Sequence, residues 1–143
     1  MEVDATEAQA CTIRKYGTKA GDFQMVSDWR KAHDYPVIPE TILPALGVVA
    51  ESDGAARAAA WLYQDNSVGV CFLNWLVTAP GLSPAQARAA LRTCIDFLTL
   101  RARELEYGFC IAYAAHPALI REARAFGFVE GARGVTELAK RID

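Results

Sequence analysis

The sequence predicts an α/β domain built on a mixed, mostly antiparallel sheet flanked by helices. Three apolar segments between residues 46 and 77 are separated by short turns, which is typical of an antiparallel meander. A long amphipathic segment follows, and after it comes a short apolar segment of the kind found in buried parallel strands. The predicted order of elements is β-α-(α)-β-β-β-α-β-α-β, in which the bracketed helix is one short turn.

Length and composition indicate a single globular domain. The 143 residues are 52% hydrophobic and 22% charged, which is ordinary for a globular chain with one core. The net charge of −2 provides no excess of cations to neutralise a nucleic-acid backbone, so we expect no nucleic-acid partner. Residues 1–9 are expected to be a flexible tail and residues 10–143 the domain.

Several features favour a cytoplasmic protein. The first seven residues are acidic and lack the apolar run of a signal peptide, and no segment is long enough to span a bilayer. The four cysteines are widely spaced and form no C-x-x-C pair, so they fit reduced, mostly buried thiols better than a disulfide framework or a metal site. They are Cys11, Cys71, Cys94 and Cys110.

In the N-terminal half, turn and cap residues delimit the elements. Asp22 is a suitable N-cap for a first helix, prolines enclose a short helical turn, and Asp53-Gly54 is a tight hairpin turn. The predicted elements are strand 11–16, helix 22–33, the short turn 39–43, and strands 46–51, 56–63 and 68–77.

In the C-terminal half, apolar residues recur at helical spacing from Leu91 through Leu98 to Leu105, which predicts a long helix with one buried face. Gly127 is placed to end the last helix. The predicted elements are helix 84–106, strand 109–114 with both faces buried, helix 117–126, and final strand pieces at 129–130 and 135–139.

This order of elements resembles, over essentially the whole chain, the GNAT superfamily of acyl-CoA-dependent N-acetyltransferases. After its fourth strand that family has a Pro and then Arg/Gln-Gly-x-Gly-x-Gly/Ala. Here Pro80 is followed by Ser-Pro-Ala-Gln-Ala-Arg at residues 83–88. Pro84, Gln86 and Arg88 stand at the glycine positions, so close wrapping of backbone amides around the CoA pyrophosphate is weakened.

Two interpretations of this segment remain open. Ser83 and Gln86 form a capping box with Pro84 at the first helical position, which explains them as helix initiation. The resemblance implies instead that the helix N-terminus meets the pyrophosphate, while the backbone N–H of Leu76 lies near the acyl oxygen. The cofactor-binding residues that it implies for acetyl-CoA are Leu76, Val77, Ser83, Gln86, Ala87 and Arg88.

The catalytic candidates come from a further resemblance. Residues 116–128 are similar to the family pattern Asn-x-x-Ala-Ile-x-Leu-Tyr-x-x-x-Gly-Phe, with His116 at the Asn and Ala123 at the Tyr that commonly protonates the CoA thiolate. His116 is therefore a candidate acid or a hydrogen-bonding partner of the cofactor, and Tyr113 is a second catalytic candidate because it is a titratable group on the fifth strand near the expected cleft. Helix capping is the alternative for His116, and core packing is the alternative for Tyr113.

On the acceptor side, the resemblance implies that the first helix and the loop after it set specificity. Trp29, Tyr35 and Asn74 are the predicted substrate-binding residues, with packing over the sheet as the alternative. No carboxylate occurs in residues 68–77 to act as a general base. The nearest carboxylates are Asp28, Asp34 and Glu51, which we expect to be surface charges.

The implied function is transfer of an acetyl group from acetyl-CoA to an amine of a small molecule or a protein. The replaced glycines, the missing carboxylate and Ala123 favour an alternative, a catalytically inactive GNAT-fold module for binding or assembly. Apolar surface around Trp29, Tyr35 and the last strand would then form a homo-oligomer or a larger assembly. The compact pattern is also similar to acetyltransferase-like proteins encoded by bacteriophages. The acceptor, the general base and the oligomeric state are left open.

Overall fold

The computed structural model describes residues 11–142, so the predicted tail lies outside the described residues. The helices within this part are α1 (Asp22–Ala32), α2 (Pro84–Glu104) and α3 (Pro117–Ala125), with a 3₁₀ turn at Glu40–Ile42. The strands are β1 (Thr12–Lys15), β2 (Gly47–Ser52), β3 (Ala55–Gln64), β4 (Val70–Thr78) and β5 (Phe109–Ala112).

The predicted mixed sheet is confirmed. Its strand order is β1-β2-β3-β4-β5, with antiparallel pairing from β1 to β4 and parallel pairing of β4 with β5. Asp53 and Gly54 have φ values of 55° and 76°, the positive pair that a tight two-residue hairpin turn requires. The parallel β4–β5 pair needs a long crossover, which α2 provides.

The sheet separates two apolar clusters. On one face α2 packs Ala90, Cys94, Ile95 and Leu98 against alternate residues of β2 to β4, and Leu119 and Phe126 of the α3 region pack at its margin. On the other face α1 packs against the strands through Val26 and Trp29. Alternation explains this division, because neighbouring strand residues point to opposite faces. The two-sided burial places α1 and the loop after it over one face of β4.

The predicted final strand pieces at 129–130 and 135–139 are wrong, since residues 128–142 contain no strand. Glu130 forms ion pairs with Arg124 and Arg133, and Gly134 has a φ of 66°, so the segment turns where a strand would have to run straight. Its apolar residues also lack the alternation of a half-buried strand. They are Val129, Val135, Leu138 and Ile142, all strongly exposed.

Without a sixth strand beside it, β5 is an edge strand among the described residues. It was predicted to be buried on both faces, but Phe109 is 65% exposed and the other three residues are only half-buried. The strand also ends at Ala112, before the predicted residue 114. Tyr113 therefore follows β5 and is not part of it.

The cysteines are free thiols, as predicted. Cys71 and Cys110 are opposite each other in the register of β4 and β5, and burial raises the pKa of Cys110 to about 12. Within the described range, no helix has the length and apolarity needed to cross a bilayer.

Candidate functional site

β4 is interrupted by a bulge about two thirds of the way along its length. Ala59 pairs with Val77 and Trp61 pairs with Asn74, so two residues of β4, Trp75 and Leu76, share one position opposite β3. Trp75 has a φ of 63°, in the left-handed region that bulky residues rarely adopt. Bulges redirect a strand, and such backbone outliers concentrate at functional sites.

β4 and β5 separate at the same place. Their pairing runs from Val70–Phe109 to Leu73–Ala112 and goes no further, although β4 continues to Thr78. The second half of β4 therefore has no strand partner on its β5 side in the described chain. The predicted cofactor residues Leu76 and Val77 lie in this half, and the backbone of the bulge borders the opening between the two strands.

The start of α2 is occupied largely by its own cap. Ser83 Oγ accepts from the N–H of Gln86 at 3.1 Å, and Gln86 Oε1 accepts from the N–H of Ser83 at 3.0 Å, so the capping box is confirmed. The N–H of Ala87 donates to the Ser83 carbonyl at 2.9 Å. Since Pro84 has no N–H, Ala85 carries the one first-turn amide that the described hydrogen bonds leave open. Arg88 is exposed beside it.

The two catalytic candidates follow the end of β5. His116 is the N-cap of α3, and its Nδ1 accepts from the N–H of Ala118 at 3.1 Å. Because Nδ1 is an acceptor, the neutral ring carries its proton on Nε2. Tyr113 is 61% exposed. Since β4 and β5 are parallel, both residues lie at the end of the sheet where these strands have separated.

The loop after α1 is tied to β4 by polar contacts. His33 Nε2 lies 2.9 Å from the carbonyl oxygen of Thr78. The indole N–H of Trp75 donates to the Tyr63 hydroxyl at 2.7 Å, and that hydroxyl donates to the carbonyl of Ile42 at 2.6 Å. The loop, the end of α1 and the bulge thus form one connected wall on the α1 face of the sheet.

Arg30 lies inside this wall. Its guanidinium carbon is 5.3 Å from the centre of the Tyr35 ring and 5.4 Å from that of the Trp75 ring, the spacing of cation–π contacts. Its Nε donates to the carbonyl of Pro36 at 2.9 Å. Sequence analysis missed Arg30. The available signal was the crowding of aromatic and cationic residues between 29 and 35.

The predicted substrate-binding residues fall in different environments. Trp29 is 8% exposed and belongs to the core beneath α1, so it does not contribute apolar surface for assembly. Tyr35 is half-buried and stacks on His33 at 5.3 Å. Asn74 borders a shallow depression of about 280 Å³ on the α1 face. The other residues that line the depression are Tyr63, Gln64, Asp65 and Phe72.

The nearest carboxylates do not point to a general base. Glu51 accepts from Arg14 Nε at 2.7 Å and from Lys19 Nζ at 3.3 Å, and the hydrogen bond from Arg14 lowers the pKa of Glu51. A depressed pKa makes a weaker base at neutral pH. Asp28 and Asp34 are exposed, as expected.

No protein-family model matches the sequence, and no curated protein is significantly similar to it. Solved structures do match. A GNAT-family acetyltransferase from Streptococcus pneumoniae TIGR4 has a TM-score of 0.63 at 13% identity, over 92% of this chain and 100% of that chain. An aminoglycoside N-acetyltransferase in complex with CoA has a TM-score of 0.60 at 22% identity, over 93% and 96%.

A protein described as a transcriptional regulator, from Bacillus halodurans C-125, has a TM-score of 0.66 at 14% identity, over 91% of this chain and 100% of that chain. The chain therefore has the GNAT fold. At these identities the likeness concerns the fold, and the differing descriptions of the matched proteins show that fold and activity are separate questions.

Proposed function

We propose that this protein is an acyl-CoA-dependent N-acetyltransferase that acts on the amine of a small molecule or a protein. The observation that carries the proposal is the coincidence of the β4 bulge with the end of β4–β5 pairing. The bulge bends β4, and beyond Leu73 this strand no longer pairs with β5. Backbone amides of β4 are therefore free to face the opening between the two strands. The GNAT fold of the neighbours, one of them holding CoA, supports acetyl-CoA as the donor.

The residues around the cleft fit that donor. The open amide of Ala85 and the exposed side chain of Arg88 suit a pyrophosphate at the start of α2. When bound, acetyl-CoA supplies an acyl group activated as a thioester. The amide of Leu76 is the proposed donor to the acyl oxygen as negative charge develops there.

The proposed reaction forms a bond from the acceptor nitrogen to the acyl carbon and breaks the bond from that carbon to sulfur. The amine gives one proton to solvent water, and the departing thiolate takes one, so the proton count balances. Since its Nδ1 is engaged in the cap, His116 is assigned the role of hydrogen-bond donor to the sulfur through Nε2–H as the thiolate leaves. The exposed hydroxyl of Tyr113 is the candidate acid that gives the thiolate its proton and regains one from solvent.

A second candidate function is a non-catalytic GNAT-fold binding module. The capping box favours it, because Ser83 and Gln86 already use amides that the family motif offers to the pyrophosphate. The exposed apolar residues Val129, Val135 and Leu138 are then the surface for a protein partner.

Calorimetric titration with acetyl-CoA separates the two candidates. We expect micromolar binding by the wild type and at least about tenfold weaker binding by Arg88→Glu, because reversal of one charge removes a charge-assisted contact. Arg103→Glu is the matched control, since Arg103 is an exposed arginine in the last turn of the same helix and should leave the affinity unchanged.

Absence of binding at millimolar acetyl-CoA would remove the enzymatic proposal and leave the binding module. Equal weakening by both variants would show a general charge effect and not a site at the start of α2.

A further inference from the structure

Arg30 is a buried cation without an ion-paired carboxylate. The residue is 7% exposed, and among residues 11–142 no Asp or Glu oxygen forms a salt bridge with it. The other buried charges among the described residues are paired, as Asp22 is with Arg14 and Glu122 is with Arg92. Since burial of an uncompensated charge is costly, an unpaired arginine in this position calls for a partner.

The arginine has hydrogen-bonding capacity left for that partner. Its Nε is used by the carbonyl of Pro36, but its two Nη atoms donate to no acceptor in the described chain. Among the described residues, the side-chain polar atoms that are both fully enclosed and without a hydrogen-bond partner belong to Tyr16, Ser52, Arg57 and Trp61, and not to Arg30. The Nη atoms therefore keep access to solvent. Two adjacent N–H donors in a plane match the two oxygens of a carboxylate.

The surroundings hold the guanidinium in place without neutralising it. The rings of Tyr35 and Trp75 lie on it at 5.3 and 5.4 Å, and the carbonyls at the end of α1 offset part of its charge. Burial lowers the pKa of Arg30, while the charges of Tyr35 and of Glu137 act in the opposite direction. Glu137, in the C-terminal segment, is thus close enough for its charge to interact with that of Arg30, although the two side chains form no ion pair.

Arg30 lies next to the β4 bulge, which borders the opening where the acetyl group would be transferred. Trp75, whose ring lies against the guanidinium, is the residue with positive φ in the β4 bulge. The cleft between β4 and β5 borders the same bulge. Arg30 thus lies beside the bulge, which is where the acyl group of the donor is proposed to bind.

We propose that Arg30 binds a carboxylate of the acceptor, so that the preferred acceptors are amines that also carry a carboxylate, such as amino acids. This inference rests on the proposed acetyltransferase function and specifies its substrate class. Arg30 is a specificity residue in this scheme, because it holds the acceptor by a group that takes no part in the acyl transfer.

Acceptors in matched pairs test the proposal. Release of the CoA thiol is measured with glycine against glycinamide, and with β-alanine against β-alaninamide. In the wild type we expect kcat/KM to favour the acid of a pair by about tenfold or more, as a hydrogen-bonded charge pair implies. Arg30→Met should abolish the preference, and Arg30→Lys should retain part of it.

Two control variants separate recognition from structure. Lys31→Met removes the exposed neighbouring cation and should keep the preference. Glu137→Gln tests whether Arg30 instead only positions the C-terminal segment; if this variant loses the preference as Arg30→Met does, the proposal is overturned. Calorimetry with acetyl-CoA should give the same affinity for the wild type and for Arg30→Met.

An NMR titration keeps the inference independent of turnover. The side-chain Nε–H signal of Arg30 should shift saturably with sodium glutarate and not with sodium chloride at equal ionic strength. Acetyl-CoA binding together with a preference for the neutral amides would overturn the carboxylate inference and leave the acetyltransferase proposal standing. Failure to bind acetyl-CoA would overturn the acetyltransferase proposal, and absence of the saturable shift would overturn the site at Arg30.

Discussion

At the scale of single residues, Asp22 joins the start of α1 to β1. Its carboxylate accepts two hydrogen bonds of 2.7 Å from Arg14 and one of 2.8 Å from the N–H of Gly17. The Asp22 side chain is 4% exposed and that of Arg14 is 15% exposed, so solvent screens this pair only weakly. The hydrogen bond from Arg14 is the main cause that lowers the pKa of Asp22.

We expect Asp22→Asn to destabilise the fold at neutral pH by about 3 kcal/mol, since one member of a buried ion pair loses its charge. A depressed pKa in the folded state means that the contribution is complete above the unfolded value of about 4 and is lost as the pH falls below it. Urea unfolding at several pH values measures this. The gap between variant and wild type should close in acid.

Asp28→Asn is the control for this prediction, because Asp28 is exposed on the same helix and should change stability by less than about 0.5 kcal/mol. A gap that stays constant from pH 7 to pH 3 would mean that Asp22 does not titrate with a lowered pKa.

Gly47 is required by the packing of a neighbour. A Cβ added there would lie 2.3 Å from the Trp61 ring, and Trp61 is 1% exposed in the core of the α1 face. We expect Gly47→Ala to lower the free energy of unfolding by about 2 kcal/mol or more, because a rigid buried ring has little room to move. Gly131→Ala, with open space around its Cβ, should be neutral in the same thermal unfolding measurement.

At the scale of elements, the first turn of α2 has two possible roles. It can serve only as the capped start of the helix, or it can also bind the pyrophosphate of CoA. Replacements of Ser83 separate them. Ser83→Ala removes the bond to the N–H of Gln86 and should cost about 1 kcal/mol of stability. Ser83→Asp retains a cap of similar quality but adds a negative charge where the pyrophosphate is proposed to lie.

We therefore expect Ser83→Asp to preserve stability and to weaken acetyl-CoA binding. We expect Ser83→Ala to lower stability and to leave acetyl-CoA binding unchanged. Chemical denaturation and calorimetry on the same preparations measure the two effects. If Ser83→Asp binds acetyl-CoA as tightly as the wild type, the pyrophosphate does not lie against the first turn of α2.

At the scale of the whole molecule, the sheet divides the core into two clusters. Leu98 is fully buried on the α2 face and Val26 is 1% exposed on the α1 face. We expect Leu98→Ala to cost about 3 kcal/mol and Val26→Ala about 2 kcal/mol. Because the two sites share no cluster, the double variant should be additive within about 0.5 kcal/mol.

Leu100→Ala is the surface control on α2, since Leu100 is 50% exposed and should lose much less stability than Leu98→Ala. A coupling well above the additive limit in the urea midpoints would indicate that the two faces unfold and repack as one cluster.

The sequence by itself determined the elements whose signals are local. Alternation marked the strands, Asp53-Gly54 marked the hairpin, and the capping box with its helical stripe marked α2. Each of these rests on residues within a few positions of one another. The final strand was the exception, because an apolar segment near a chain end becomes a strand only if an edge pairs with it. In residues 128–142 the ion pairs of Glu130 and the positive φ of Gly134 bend the chain, so it does not pair with the edge of the sheet.

Only the tertiary structure decided the geometry of the candidate site. The β4 bulge depends on register with β3, and the end of β4–β5 pairing depends on two strands more than 30 residues apart. Arg30 reads in the sequence as an ordinary cation in the last turn of a helix. It becomes a buried charge with no ion pair among residues 11–142 because α1 brings it against Trp75. Burial depends on distant segments that pack together and not on local sequence.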